Sequence, residues 1–142
     1  MSARPAALVL GLYLALAGCR TGGELDSGPR YPEALPPVET LDIHAFREGT
    51  RLRLTNTTPY SFGPGTLWLN GRYGYDIEGL DIGQTLEIPL GRFIDEQGRR
   101  FRAGGFFAAE APELIALVEM VTPEAGGGRS LKYGFIAVGD RR

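Results

Sequence analysis

The ten residues from Thr66 to Tyr75, TLWLNGRYGY, carry the clearest β signal in the chain. Leu67 and Leu69 are separated by one residue, and this period of two is typical of a half-buried strand. Asn70 and Gly71 follow at once, and Asn-Gly is the strongest short signal for a hairpin because both residues tolerate positive φ. The stretch therefore predicts two antiparallel strands joined by a tight turn.

Short apolar runs separated by turn residues continue on both sides of this hairpin. Apolar and polar side chains alternate in TLDIHAF (40–46), TRLRLTN (50–56) and QTLEIPL (84–90), which predicts three more half-buried strands. Pro89 indicates an edge strand or a strand end, because proline has no N–H for a sheet ladder. The stretch RFIDEQGRRFRAG (92–104) predicts two further strands around a turn at Gly98.

The last part of the chain predicts a central strand and its partner. ELIALVEMV (113–121) is apolar on both faces, as expected of a strand in the middle of a sheet. SLKYGFIAVGD (130–140) is predicted to pair with it as an antiparallel hairpin across the glycine-rich loop between them. A short helix over residues 112–120 is the alternative, since Pro112 suits the first turn of a helix.

Length and composition favour one all-β domain over residues 38–142. The chain has 142 residues, and its 21 glycines and 10 prolines favour many turns and short strands. The spacing predicts an antiparallel β-sandwich of about seven to eight strands. Its size resembles that of immunoglobulin-like sandwiches, although a single cysteine excludes their intersheet disulfide. A net charge of −2 provides no basic field, so we do not expect a nucleic-acid partner.

The N-terminus has the length and flanks of a secretory signal peptide. Residues 6–17, AALVLGLYLALA, hold no charge, and the run is shorter than the roughly 20 residues that a membrane-spanning helix needs. Leu16, Ala17, Gly18 and Cys19 end the run in the order aliphatic, small, small, cysteine. These four residues resemble the lipobox of bacterial lipoproteins.

The lipoprotein resemblance implies a processed and acylated N-terminus. The signal peptide (1–18) would be removed, and Cys19 would carry a diacylglycerol on its sulfur, with a further acyl chain such as palmitate on its amine in many members. Two or more acyl chains anchor a protein stably to a membrane. In that family, an Asp directly after the cysteine can favour retention in the inner membrane. Arg20 stands there instead, and the absence of Asp favours the outer membrane of the cell envelope. An ordinary cleaved signal, or a core helix that contains a cysteine, is the alternative.

Residues 19–37 are rich in glycine and proline and predict a flexible linker between the anchor and the domain. The alternative is that part of the linker packs along the domain, with Tyr31 and Leu35 as contact points.

The ionisable residues show no catalytic or metal-binding pattern. The only histidine, His44, lies on a predicted strand opposite the apolar face and is interpreted as a surface residue. With one histidine and one cysteine, we expect neither a transition-metal site nor another cofactor. Asp76, Glu78 and Asp81 form the acidic stretch 76–81, which could supply oxygens to Ca²⁺ or carboxyls to a hydrolase, but is interpreted as solvated turn residues.

Aromatic residues give the one indication of a binding surface. Trp68 falls opposite the leucines of its strand, and Tyr73 and Tyr75 share one face of the next. Aromatic side chains are common anchors in surfaces that bind proteins or sugars. The alternative is that Trp68 fills the core. In Phe106-Phe107 one ring is expected to point inward and the other to pack under its loop.

Three functions follow from these patterns. The first is a lipid-anchored envelope protein with a non-catalytic binding or structural domain. Its partner would be an unknown envelope protein or glycan. The second is a small envelope hydrolase or carbohydrate-active protein that uses the acidic 76–81 stretch, with Trp68 as a platform. The third is an accessory subunit that binds by pairing an edge strand with another protein.

Overall fold

The computed structural model describes residues 27–139, so the predicted signal peptide, the lipobox and Cys19 lie outside the described residues. Seven strands and a short 3-10 helix, Leu90–Arg92, form the regular structure of this part. The strands are β1 (Pro37–Glu48), β2 (Arg51–Thr55), β3 (Gly65–Leu69), β4 (Tyr73–Ile77), β5 (Thr85–Pro89), β6 (Val118–Pro123) and β7 (Ser130–Val138). The predicted all-β class is confirmed.

The strands form one sheet in the order β4-β3-β6-β7-β1-β2-β5, curled into a half-barrel. Strands β1 and β7 are parallel, and the other neighbours are antiparallel. The predicted antiparallel sandwich and its likeness to immunoglobulin domains are not confirmed. The first and last strands pair with each other near the middle of the order, so the described strands share a single mixed sheet.

The hydrophobic core lies on the inner face of the curled sheet. The alternation predicted for β1, β2, β3 and β5 is confirmed, since their inward residues are buried: Leu41, Ile43, Ala45, Leu52, Leu54, Leu67, Leu69 and Ile88. The predicted turn is confirmed as well, because Asn70 and Gly71 have φ angles of 54° and 62°. The sequence alternation thus fixes which side chains face the core.

Strand β6 is shorter than predicted and begins at Val118. Residues 111–117 form neither the predicted strand nor the alternative helix. The side chain of Asn70 replaces a sheet ladder there, because its amide nitrogen donates to Leu114 O and its oxygen accepts from the N–H groups of Ala116 and Leu117. The central position of β6 and its antiparallel hairpin with β7 are confirmed.

The stretch 92–104 contributes isolated bridges instead of two strands. Ile94 pairs with Gly74 on one side and with Arg100 on the other. The predicted turn is present, with Gly98 at a φ of 76°. This segment therefore covers one end of the β4 edge.

The two ends of the half-barrel carry different loops. The hairpin end carries the β1–β2 turn (49–50), the β3–β4 turn (70–72) and the loop 102–117. The opposite end carries the loops 56–64, 78–84 and 124–129.

Residues 28–35, here called the strap, run over the outer face of the sheet. Gly28 N donates to Asp95 O at 2.9 Å near the hairpin end, and the Tyr31 ring packs edge-on against Trp68 with 5.2 Å between ring centroids. Leu35 is half-buried. The alternative in which part of the linker packs along the domain therefore holds for these residues.

Candidate functional site

The strands β4 and β5 are the two edges of the sheet, and a cleft lies between them. We call this cleft the seam. It has a volume of about 740 Å³ and receives Tyr75, Asp76 and Ile77 from β4 and Leu86, Glu87 and Ile88 from β5. The loops of the opposite end complete its wall with Phe62, Gly63, Glu78, Gly79, Asp81 and Gln84.

Backbone groups of both edge strands face away from the rest of the sheet. Gly74 exchanges two backbone hydrogen bonds with Ile94, at 2.9 and 3.1 Å, and so faces away from β3. Because antiparallel residues alternate between the two sides of a strand, Asp76 presents its N–H and C=O outward as well. By the same alternation, Thr85 and Glu87 face away from β2, since Asn56 N bonds to Gln84 O. Beyond the bridge to Ile94, these edges have no strand partner among residues 27–139.

The seam is apolar inside and acidic at its rim. Tyr75 and Leu86 are half-buried and pack against the core, and Ile88 belongs to it. The side chains of Asp76 and Glu87 lie on the exposed rim on either side. An added strand would therefore meet apolar groups with one set of alternate side chains and carboxylates with the other.

The carboxylates of the acidic stretch line one cleft but do not form a compact cluster. Asp76, Glu78 and Asp81 are all exposed. Thr66 Oγ1 donates to Asp76 at 2.7 Å, and Glu87 lies 3.8 and 3.9 Å from Arg51 and Arg53. No group of three histidine, cysteine or acidic residues suited to a metal ion occurs within the described range 27–139.

The predicted aromatic surface is not assembled as one exposed patch. Trp68 lies opposite Leu67 and Leu69 as predicted, but it is only 2% exposed because the strap covers it. Tyr73 is buried on the inner face, where its hydroxyl donates to Glu113 at 3.0 Å. Tyr75 alone lines the seam.

A buried polar network lies beside Trp68, under the strap. The Tyr31 hydroxyl donates to Glu119 at 2.7 Å and accepts from Lys132 Nζ at 3.1 Å. Glu119 and Lys132 are 5% and 3% exposed, so the hydroxyl links two buried ionic groups. Burial, together with the hydrogen bond to Glu119, raises the pKa of Tyr31 to about 12. The nearby indole Nε1 of Trp68 is buried and has no hydrogen-bond partner among residues 27–139.

Asp95 forms a second buried ionic centre near the hairpin end. It is 1% exposed and accepts hydrogen bonds from Arg72 at 2.8 Å and from Arg99 at 2.9 Å. Burial by itself raises the pKa of Asp95, but the bonds from Arg72 and from backbone N–H groups, with the charge of Arg99, outweigh it and lower the pKa overall. The sequence pattern presents this residue only as part of a turn.

The remaining predicted residues lie at the surface. The His44 side chain is 46% exposed and 3.8 Å from Asp42, which agrees with its interpretation as a surface residue. Phe106 and Phe107 are 94% and 95% exposed, so neither ring points inward as predicted. Hydrogen bonds from Arg47 to both arms of their loop hold its base on β1 and leave the tip in solvent.

A second cavity of about 450 Å³ opens at the opposite end of the half-barrel. Tyr60, Phe62 and Tyr133 give it an aromatic lining, with Glu39 at its edge. It shares Phe62 with the seam and extends that cleft toward the β6–β7 loop.

No family model, curated protein or solved structure matches the chain. Within residues 27–139, none of the elements is a helix long and apolar enough to cross a bilayer.

Proposed function

We propose that this chain is a lipid-anchored protein of the bacterial cell envelope whose half-barrel binds an extended, basic protein segment in the seam. The observation that carries the proposal is the pair of unpartnered sheet edges, β4 and β5, that face each other across one cleft. This combines the predicted non-catalytic binding module with the predicted accessory subunit that pairs an edge strand.

Backbone hydrogen bonds supply the affinity in this proposal. The outward groups of Asp76, Thr85 and Glu87 offer the ladder that β-strand addition uses. Tyr75 and Leu86 receive apolar side chains at alternate positions of the added strand. The segment is thereby recognised by its extended shape.

Charge at the rim supplies the selectivity. Among the residues that the structure describes, the lining of the seam holds four acidic residues, Asp76, Glu78, Asp81 and Glu87, and no lysine or arginine. Arg51 and Arg53 offset part of the charge of Glu87, and the guanidinium of Arg92 lies 5.2 Å from the centre of the Tyr75 ring. Opposite charges on neighbouring strands are favourable and like charges are not, so a basic segment fits better than an acidic one.

A labelled hexapeptide of alternating lysine and valine tests the seam. We expect it to bind the wild-type chain, and to bind at least about tenfold more weakly to Asp76→Pro, because proline removes an outward N–H without removing a bond to β3. Asp76→Asn is the matched control, since it removes the charge and keeps the N–H. Fluorescence anisotropy measures the affinities.

Three outcomes of this experiment would overturn the seam proposal: no binding to the wild type, equal binding of a glutamate–valine peptide, or equal affinities of the Pro and Asn variants. The pair Glu87→Pro and Glu87→Gln repeats the comparison on β5. Circular dichroism checks that each variant folds.

The membrane anchor has a separate test. We expect the intact mass of the mature protein from bacterial membranes to place its first residue at Cys19 with diacylglycerol and acyl chains attached. A different first residue, or an unmodified Cys19, would contradict the anchor and the expected outer-membrane location.

A small envelope hydrolase is the second candidate, because Asp76, Glu78 and Asp81 line the same cleft. The buried Trp68 is not available as the platform that this function was expected to use. Release of nitrophenol from nitrophenyl glycosides by the wild type, and its loss in Asp76→Asn, would favour this candidate over peptide binding.

A further inference from the structure

We infer that the Phe106–Phe107 tip of the loop 102–117 inserts into the interface of an anionic lipid bilayer, on the side of the domain from which the acyl anchor extends. This inference rests on the proposed lipid anchor. It adds a second membrane contact that orients the half-barrel.

Two adjacent aromatic rings at a loop tip are the first observation. Phe106 and Phe107 are almost fully exposed and pack edge-to-face with 4.9 Å between centroids. Placing such rings among lipid headgroups and upper acyl chains removes their apolar area from water. Within the described part, no other pair of neighbouring residues exposes as much apolar side chain.

The base of the loop is fixed, so the tip is presented outward. Arg47 donates to Glu113 O at 2.5 Å and to Ala103 O at 2.6 Å, which ties both arms of the loop to β1. Glu113 N also bonds to Arg102 O at 2.9 Å. A Cβ added at Gly105 would lie 3.4 Å from the Thr50 side chain, so this part of the loop runs beside the β1–β2 turn.

The start of the described chain lies at the same end of the half-barrel. Gly28 bonds to Asp95, and Asp95 bonds to Arg72 of the β3–β4 turn, which belongs to the hairpin end. Seven residues separate Cys19 from Ser27, and the eight steps between them span at most about 29 Å when extended. A bilayer that holds the acyl chains of Cys19 is therefore within reach of the hairpin end.

Arginines lie at the hairpin end, where the base of the loop is held. The segment 90–113 contains four arginines, at positions 92, 99, 100 and 102, and four acidic residues, at positions 95, 96, 110 and 113. One of these acids, Asp95, is buried beneath Arg72 and Arg99. Arg102 is paired with Glu110 at 3.6 Å, while its side chain stays 55% exposed. Basic residues near anionic headgroups strengthen interfacial binding.

Quenching by brominated lipid tests the contact in the full-length, processed protein. The chain is reconstituted into vesicles of phosphatidylethanolamine and phosphatidylglycerol that carry bromine high on the acyl chain. We expect the added indole of Phe106→Trp to be quenched at least about twofold, as an aromatic side chain in the interface would be. Tyr60→Trp is the matched control, because Tyr60 is 63% exposed at the opposite end. The wild type, with Trp68 alone, provides the background.

Each outcome separates the loop contact from the anchor. The inference is supported if the Phe106→Trp indole is quenched and the Tyr60→Trp indole is not. Quenching at position 106 should also be weaker in phosphatidylcholine vesicles. Equal quenching of both, or none at position 106, overturns it, even when the intact mass shows acylated Cys19. Quenching at position 106 with an unmodified Cys19 retains the loop contact and overturns the proposed anchor.

Discussion

The hydroxyl of Tyr31 joins Glu119 and Lys132, two ionic residues that the sequence places within apolar strands. Buried charges are costly unless hydrogen bonds satisfy them. The sequence predicted that β6 is apolar on both faces, but it did not indicate which group would satisfy a buried Glu119. Its hydrogen-bond partner, Tyr31, lies 88 positions away along the chain, and no local pattern relates the two residues.

Removing that hydroxyl should destabilise the domain. We expect Tyr31→Phe to lower the free energy of unfolding by about 1–3 kcal/mol at neutral pH, because Glu119 and Lys132 lose a partner while they stay buried. Urea denaturation followed by Trp68 fluorescence measures the change. Tyr60→Phe is the control, expected within about 0.5 kcal/mol of wild type because Tyr60 is exposed. A similar loss in both variants would contradict the network.

The same phenol predicts a decline of stability at alkaline pH. Its pKa rises from the ordinary 10.0 to about 12, so the neutral form is favoured in the folded state. This contribution to stability is present below pH 10 and is lost as the pH rises toward 12. We expect a shallower decline between these pH values in Tyr31→Phe than in wild type. Parallel declines would show that Tyr31 titrates normally.

Asp95 predicts the opposite pH dependence. Its pKa is lowered, so its contribution is present above the ordinary value of 3.8 and is lost as the pH falls through the folded value. We expect Asp95→Asn to lower the free energy of unfolding by about 2 kcal/mol at neutral pH. The difference in this free energy between the variant and the wild type should narrow below about pH 4. Urea midpoints measured across pH test this. Glu96→Gln is the control, because Glu96 is the exposed neighbour of Asp95. It should change the free energy of unfolding little at any pH.

The strap is an element that composition alone presents as linker. Its glycines and prolines predict flexibility, yet it covers Trp68 and contacts β4 closely. The sequence supplied only the contact candidates Tyr31 and Leu35, because a segment with no periodicity shows no face. The strands, by contrast, were predictable because their alternation matches the buried residues.

A methyl group added at Gly74 should displace the strap. A Cβ there would clash with Pro29 and would lie 3.1 Å from the Trp68 ring. We expect Gly74→Ala to destabilise the domain by about 1–3 kcal/mol through overpacking and to shift Trp68 emission to longer wavelength. Gly63→Ala is the control, since a Cβ at that position meets nothing within 4 Å. An unshifted emission in Gly74→Ala would show that the strap does not depend on this contact.

Residues 111–117 show why the predicted start of β6, at Glu113, lies before its observed start at Val118. Their apolar side chains continue the pattern of the strand, but Asn70 occupies the backbone groups that a ladder would need. The competition comes from a turn more than 40 positions earlier. Hydrophobic pattern alone therefore overestimates the length of this strand.

At the scale of the whole molecule, the parallel pair of β1 and β7 determines the half-barrel. Spacing along the chain predicted seven to eight strands, and seven are present among residues 27–139. The pairing of the first strand with the last was not predictable, because strand patterns do not specify distant partners. The seam follows from that pairing, since it leaves β4 and β5 as the two edges. Only Pro89 indicated an edge in advance.

Backbone amide exchange, resolved by NMR, tests strand addition in the seam most directly. We expect the outward amides of Asp76, Thr85 and Glu87 to exchange rapidly in the free protein and at least about tenfold more slowly with the lysine–valine peptide bound. The inward amide of Leu86 should stay protected in both states. Outward amides that are already protected in the free protein, or that are unchanged when the peptide is bound, would contradict the proposed mode of binding.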